Sequence, residues 1–430
     1  MIVLSGHIRK FPLSQPANLV VDPLVALHPL SRQASGGAFL IVKHAGGKHA
    51  RGDHRMIIDL ASRCLIAIGI VFVLVFGLVP MQPASTVSPT DSTADLRDSG
   101  ALEAGREEAN RAEGGRVETA RVQLVDDPVT GEPEPEDRAA RRPLAIVIEN
   151  HPNARPQWGL SLASRVYEAI TEGGITRYLA VFGANDADRV GPVRSARTQF
   201  LDYVVELNAA FAHVGGSANA LDLIEALRIK DINQFWNARP YRRIQAPNLA
   251  FEHTVFASTT ALRVLIGRRG WSARVSLDHP AWKDDPAPGL RPPSQMVTID
   301  FSTPAFRVSW VYRPSFNDYQ RFLAGVPDVD AATGEVVSAK SIAIAVIPRV
   351  HGRTRIGEDT WTFSDIGSGK AWVVQDGTVA VGRWQKPSRT DRLRFLDAAG
   401  GEQAVDRGRQ WIEIVPPEVI PVIEPVAAAR

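Results

Sequence analysis

The chain has 430 residues, a formal net charge of +2 and a hydrophobic fraction of 44%. These values fit a globular protein of about two or three domains, and they lack the concentrated basic face that nucleic-acid binding needs, so no nucleic acid is expected as a partner. A single cysteine, Cys64, excludes an intramolecular disulfide.

Residues 1–55 show no clear period and scatter Gly, Pro and His. Met56 is a natural start for a signal anchor, so 1–55 reads as a disordered or untranslated extension. The segment 56–80 holds the uncharged run from Cys64 to Val79, closed by Pro80. With Leu60 to Arg63 it approaches the roughly 20 residues of a spanning helix, and it is apolar all round. Arg51, Arg55 and Arg63 precede it and no basic residue follows until Arg97. The positive-inside rule then predicts a single-pass protein of the cell membrane, with everything after Pro80 extracytoplasmic. Residues 81–139 contain no aromatic residue, and 91–139 carry 14 acidic against 6 basic side chains. That composition predicts a disordered acidic linker.

Residues 140–271 alternate strand and helix signals, which predicts an α/β layered domain. Leu144 to Ile148 is a buried-strand run. Val166 to Thr171 and Ile175 to Phe182 read as strands joined through Glu172-Gly173-Gly174. Pro192 suits the first turn of a helix carrying Val193, Ala196, Phe200, Leu201, Val204 and Val205 at helical spacing. A short strand, Phe211 to Val214, leads through Gly215-Gly216-Ser217 into a helix over 218–228 with Leu221, Ile224 and Leu227 inward. Five prolines make 272–294 a connection. Short strands over Met296–Asp300, 306–312, 342–348, 360–363, 370–375, 378–384, 392–396 and 410–415 predict a β-rich domain over 295–417, and 418–430 is a tail.

Three segments of the first half, Leu144 to Gln157, Val166 to Arg177 and Arg189 to Arg197, resemble the N-terminal domain of the YerB-like lipoprotein family. Asn317 to Arg321, Gly367 to Val374 and Trp411 to Pro416 resemble its C-terminal domain. The resemblance implies an envelope location and a two-domain soluble part; it implies no mechanism, because the family has no established biochemical function. No cysteine follows the apolar run, a departure from the lipoprotein pattern.

Chemistry is sparser. Arg194 and Arg197, three apart in the first turn of the predicted helix, call for an anion: a nearby carboxylate such as Glu172, Asp186 or Asp188, or a bound phosphate or carboxylate. Gly215, Gly216 and Ser217 form a strand-to-helix turn, in which Ser217 suits an N-cap and the glycines allow close approach to a phosphate. His213 precedes them as a core histidine or a ligand-binding group. Glu149, Asn150 and His151 follow the first strand, where ligands sit in open α/β sheets. With Glu168 and Glu172 they are candidates for Mg²⁺ binding or acid–base work, or for plain ion pairing. Gly367-Ser-Gly-Lys370 lacks the full phosphate-loop spacing and reads as a turn. The two functions in view are a tethered module binding an anionic ligand, glycan, phosphorylated ligand or envelope protein, and an enzyme acting on phosphorylated or pyrophosphate-linked glycan precursors, with Mg²⁺ as its candidate cofactor.

Overall fold

The computed structural model describes residues 123–245 and 249–426. The extension 1–55, the anchor 56–80 and the linker as far as residue 122 lie outside the described residues. Among the described residues no helix is long and apolar enough to cross a membrane. What is described is sheet-rich with few helices. Residues 123–139, which composition assigns to the linker, already carry structure. Strands Leu124–Asp126 and Pro133–Pro135 pair antiparallel and a helical turn, Glu136–Ala139, follows. Asp127 shapes the connection, its Oδ1 accepting from the Val129 and Thr130 amides at 2.6 and 3.1 Å. Acidic residues here supply turn chemistry.

Ten strands form the main sheet: β1 (Leu144–Glu149), β2 (Arg165–Ile170), β3 (Thr176–Phe182), β4 (Ala210–His213), β5 (Lys230–Asn233), β6 (Ser341–Val346), β7 (Gly367–Gln375), β8 (Thr378–Lys386), β9 (Arg394–Leu396) and β10 (Gln410–Val415). Their spatial order is β9-β8-β7-β6-β10-β2-β3-β1-β4-β5. Every residue of β1, β2 and β3 is buried, which explains the continuous apolar runs Leu144–Ile148 of β1 and Tyr178–Phe182 of β3. Strands from both halves of the chain thus build one sheet. The junction is β10, parallel to β2 on one side and to β6 on the other, with Gln410 opposite both Arg165 and Ser341. Six strands, β6, β10, β2, β1, β4 and β5, share one direction, so their carboxyl ends meet along one edge of the sheet.

Among the described residues three helices are long enough to matter: α1 (Thr198–Glu206), α2 (Ala218–Ala226) and α3 (Thr259–Arg268). The helix predicted from Pro192 begins six residues later. Residues 193–196 are extended because neighbouring backbone already uses their amides: Val193 donates to the Val255 carbonyl at 2.7 Å, Arg194 to Val147 at 2.9 Å and Ala196 to Gly215 at 2.9 Å. Proline's fixed φ is as compatible with this as with a helical turn. Phe200, Leu201 and Val204 do pack inward from α1. On α2, Ile224 is buried, but Leu221, predicted inward, is exposed.

A second, antiparallel sheet runs Val326–Pro327, Asp318–Leu323, Arg307–Arg313, Gln295–Asp300, Val422–Pro425, so the predicted tail contributes a strand. Along Arg307–Arg313 the side chains alternate, with Val308, Trp310 and Tyr312 buried, the period of a half-buried strand. Trp310 meets Trp411 of β10 edge-on, ring centroids 5.2 Å apart, and Tyr178 of β3 meets Trp411 at 5.6 Å. These rings join the two sheets, each burying roughly 150–250 Å².

The Gly367–Lys370 segment lies within β7, where a turn was predicted. Gly369 shows why glycine stands there: a Cβ would fall 2.5 Å from Trp384 Nε1 and 2.8 Å from the Val346 carbonyl oxygen, and Trp384 Nε1 donates to that same oxygen at 2.7 Å. Gly369→Ala is expected to cost about 1–3 kcal/mol by overpacking, seen as a lower urea midpoint with an unchanged slope.

Candidate functional site

Strands β1, β4 and β5 are mutually parallel, and a cleft of about 820 Å³ opens at the carboxyl ends of β4 and β5. In open sheets ligands bind beyond these ends. One wall is α2, presenting Leu221, Ile224 and Glu225, with Arg228 just past its end. The floor comes from Gly215, Gly216, Asp231 and Asn233, and the far wall from Arg194, Arg243, Phe251 and Glu252.

The floor is built by hydrogen bonds. Fully buried His213 has Nδ1 2.6 Å from the Gly215 carbonyl oxygen and Nε2 2.7 Å from Asp231 Oδ1. A carbonyl only accepts, so Nδ1 carries hydrogen and donates to Gly215. The ring thereby sits between the turn after β4 and Asp231 of β5, which lines the cleft. Gly215 sits at φ +61°, the left-handed region, and its amide donates to Asn233 Oδ1 at 3.1 Å.

Beneath the far wall lies Glu149. Burial pushes its carboxyl up, but Arg177 and Arg194 outweigh burial and hold it below the usual carboxylate range. Arg194 Nε donates to its Oε2 at 2.6 Å and Arg194 Nη1 to the Glu252 carbonyl at 3.3 Å. Arg243 stacks on Phe251, 3.8 Å from the ring centroid. Arg228 stands at φ +51°, immediately past the end of α2. A glycine is the low-energy residue at that position, yet an arginine occupies it and lines the cleft, the kind of local strain that gathers at functional sites. Three aromatic side chains are unusually open: Trp236 is 80% exposed, Phe251 66% and Phe235 64%.

The residues singled out from sequence fall in several places. Arg194, Gly215 and Gly216 line this cleft, and His213 and Glu149 lie directly under it. Ser217 takes the N-cap position of α2 but makes no capping bond, and its hydroxyl is buried without a protein partner. Arg197 turns to Glu172, Nε to Oε2 2.7 Å, beside a separate groove. Neither arginine lies within a helix: Arg194 is extended and Arg197 is the N-cap of α1. Asn150 belongs to a buried network, donating to Thr176 Oγ1 at 2.6 Å and accepting from Arg155 at 3.0 Å. His151 stacks on His253 with centroids 5.3 Å apart, and burial pushes the His253 ring below its ordinary value. Glu168 is sealed between the sheets with Arg321 at 2.6 Å. Among the described residues no group of three or more His, Cys, Asp or Glu is placed to hold a metal ion. Sequence reasoning missed Arg228, Asp231, Phe235, Trp236 and Arg243; the only local signal was the density of aromatic and basic residues over 235–243.

The chain belongs to a family of proteins of unknown function, DUF3048. The family's N-terminal domain matches residues 129–272 and its C-terminal domain residues 297–412. Within it the chain is similar to the Bacillus subtilis (strain 168) protein named "Putative lipoprotein YerB", 30% identical over 300 residues, covering 67% of this chain and 86% of that one. The crystal structure of YerB protein from Bacillus subtilis superposes with a TM-score of 0.61 at 26% identity, covering 69% of this chain and 99% of that chain.

Proposed function

We propose that this protein is an extracytoplasmic, membrane-associated module that binds an anionic glycan of the cell envelope in the cleft beyond β4 and β5. The observation that carries the reading is the meeting, in one 820 Å³ cleft, of Arg228 and Arg243 with open aromatic rings; Arg194 is already bound to Glu149, and Glu225, Asp231 and Glu252 share the lining. Guanidinium groups match carboxylate and phosphate geometry, and aromatic faces offer apolar area to the C–H faces of sugars at little entropic cost. The envelope location is supported by the relative named as a lipoprotein and by the apolar run at 64–79. Binding in place of catalysis is supported by the fate of the candidate acids: Glu149, Glu168 and Glu172 are each held by an arginine.

The test is thermal stabilisation of residues 123–430 by oligogalacturonates, with Trp236→Ala and Arg243→Ala beside the parent. A ligand at 100 times its dissociation constant adds about 2.7 kcal/mol. The expected result is a clear upward shift in Tm that both variants abolish while their unliganded Tm stays within a degree or two of the parent, because Trp236 is largely exposed. A shift that survives both substitutions would place the ligand elsewhere.

A further inference from the structure

A second groove, about 430 Å³, opens on the same edge of the main sheet as the cleft. It lies where β2 ends, at Glu172, Gly173 and Gly174, and where the chain leaving β6 forms the hairpin Arg349–Arg353 with Asp359–Phe363. Because β2, β6, β4 and β5 run the same way, both openings sit at carboxyl ends. From β2 to β4 there are three strand spacings in the sheet order, about 14 Å at ~4.8 Å each.

Two connections run between the openings. The first is the extended segment from Arg194 to Arg197: Arg194 and Ser195 line the cleft, and Arg197 holds the Glu172 that lines the groove. The second is the hairpin itself. Its base supplies Arg349, His351 and Trp361 to the groove, while its tip reaches α2, the cleft wall, through Arg355 donating to both Asp222 oxygens at 2.8 and 3.1 Å. Arg349 is stacked on the Trp361 ring at 4.1 Å, and His351 meets that ring edge-on at 5.0 Å. The groove therefore sets one guanidinium, Arg349, against an aromatic side chain, as Arg243 and Phe251 do in the cleft, one short step along the same edge, with Glu172 and Asp359 also in its lining.

Resting on the glycan reading above, we infer that the groove is a second subsite of one extended binding surface, so the ligand is a polymer that spans both openings. A chain engaging the cleft presents its next sugars to the groove at high effective concentration, and the second contact adds affinity without a second diffusional encounter.

The experiment is calorimetric titration of the full chain with oligogalacturonates of two to twelve sugars, beside His351→Glu and Trp361→Ala, with poly-glutamate of matched charge as a non-sugar probe. The expected result is affinity that rises on the order of tenfold to a hundredfold once the oligomer is long enough to reach the groove. Both variants should remove that rise and leave the shortest binding oligomers unchanged. His351 is exposed, so its variant keeps the test sound if Trp361→Ala fails to fold. Affinity independent of length, or a rise that both variants preserve, would overturn the second subsite while leaving the cleft intact. No binding at any length would overturn the glycan reading itself. Equal length-dependent binding of poly-glutamate would overturn the assignment of a sugar polymer.

Discussion

Replacing Arg321 with methionine is expected to destabilise the protein by about 3–5 kcal/mol, the cost of leaving buried charge without its partner. Arg321 is fully buried between the two sheets, among Trp310, Trp411 and Tyr178. Its guanidinium binds Glu168 Oε2 at 2.6 Å and also Asp328. A third carboxyl, Glu413, sits opposite Glu168 where β10 pairs with β2. Burial, reinforced by the charge of Glu168, pushes the Glu413 carboxyl well up, and its Oε1 accepts from Trp310 Nε1 at 2.8 Å. Arg321 is thus the ion-pair partner of both Glu168 and Asp328, and losing it strands both. Glu413→Gln, by contrast, preserves shape and the acceptor for Trp310 and should change stability by no more than about 1 kcal/mol. Urea unfolding at pH 7 measures both. If Arg321→Met were as stable as the parent, the apolar surroundings would be worth as much as the ion cluster, as happens when buried ion pairs are replaced by well-packed apolar groups.

Stability should fall as pH rises from about 4 towards 8, and Asp365→Asn should flatten that slope. Asp365 is buried beside Asp202 of α1; burial first, and then the neighbouring carboxylate, push its pKa up to about 8. In this window the folded state holds a proton that the unfolded chain, titrating near 4, has released. The folded state therefore binds more protons, and rising pH favours unfolding by about 1.4 kcal/mol per unit for one such group. The loss ends above the folded pKa, where both states are ionised. Asp406, pushed up to about 7 chiefly by burial despite its contact with Lys283, acts in the same direction over a shorter range. Chemical denaturation at pH 5, 6, 7 and 8 reads the slope. A parent whose stability rises over that range would show that Asp365 and Asp406 are ionised in the folded state.

Some elements were legible because their signal is local. The apolar runs at 144–148 and 178–182 and the paired glycines between β2 and β3 announce strands and their turn without help from distant residues. Asp318–Leu323 was not read as a strand, because its inward positions are Tyr319, Arg321 and Leu323. A buried arginine breaks the apolar alternation, and only the carboxylates of Glu168 and Asp328 make it tolerable. The helix read from Pro192 failed for a related reason, since three distant carbonyls compete for the same amides. In the candidate site, Arg194, Gly215 and Gly216 could be picked out as chemistry-bearing types near a strand end. Phe235 and Trp236 could not, because an aromatic side chain in a sequence reads as core until the fold shows it open to solvent.

The placement of β10 has a consequence for how the chain reaches this structure. Until residues 410–415 arrive, β2 is a bare edge with unpaired amides and carbonyls, as is β6, and neither can complete its ladder. The first half therefore waits on a partner about 245 positions downstream, since Arg165 pairs with Gln410. So long-range a closure slows folding and prolongs the exposure of sticky strand edges during synthesis. A chain truncated anywhere before β10 would lose more than one strand: it would leave two open edges facing each other across the gap β10 fills.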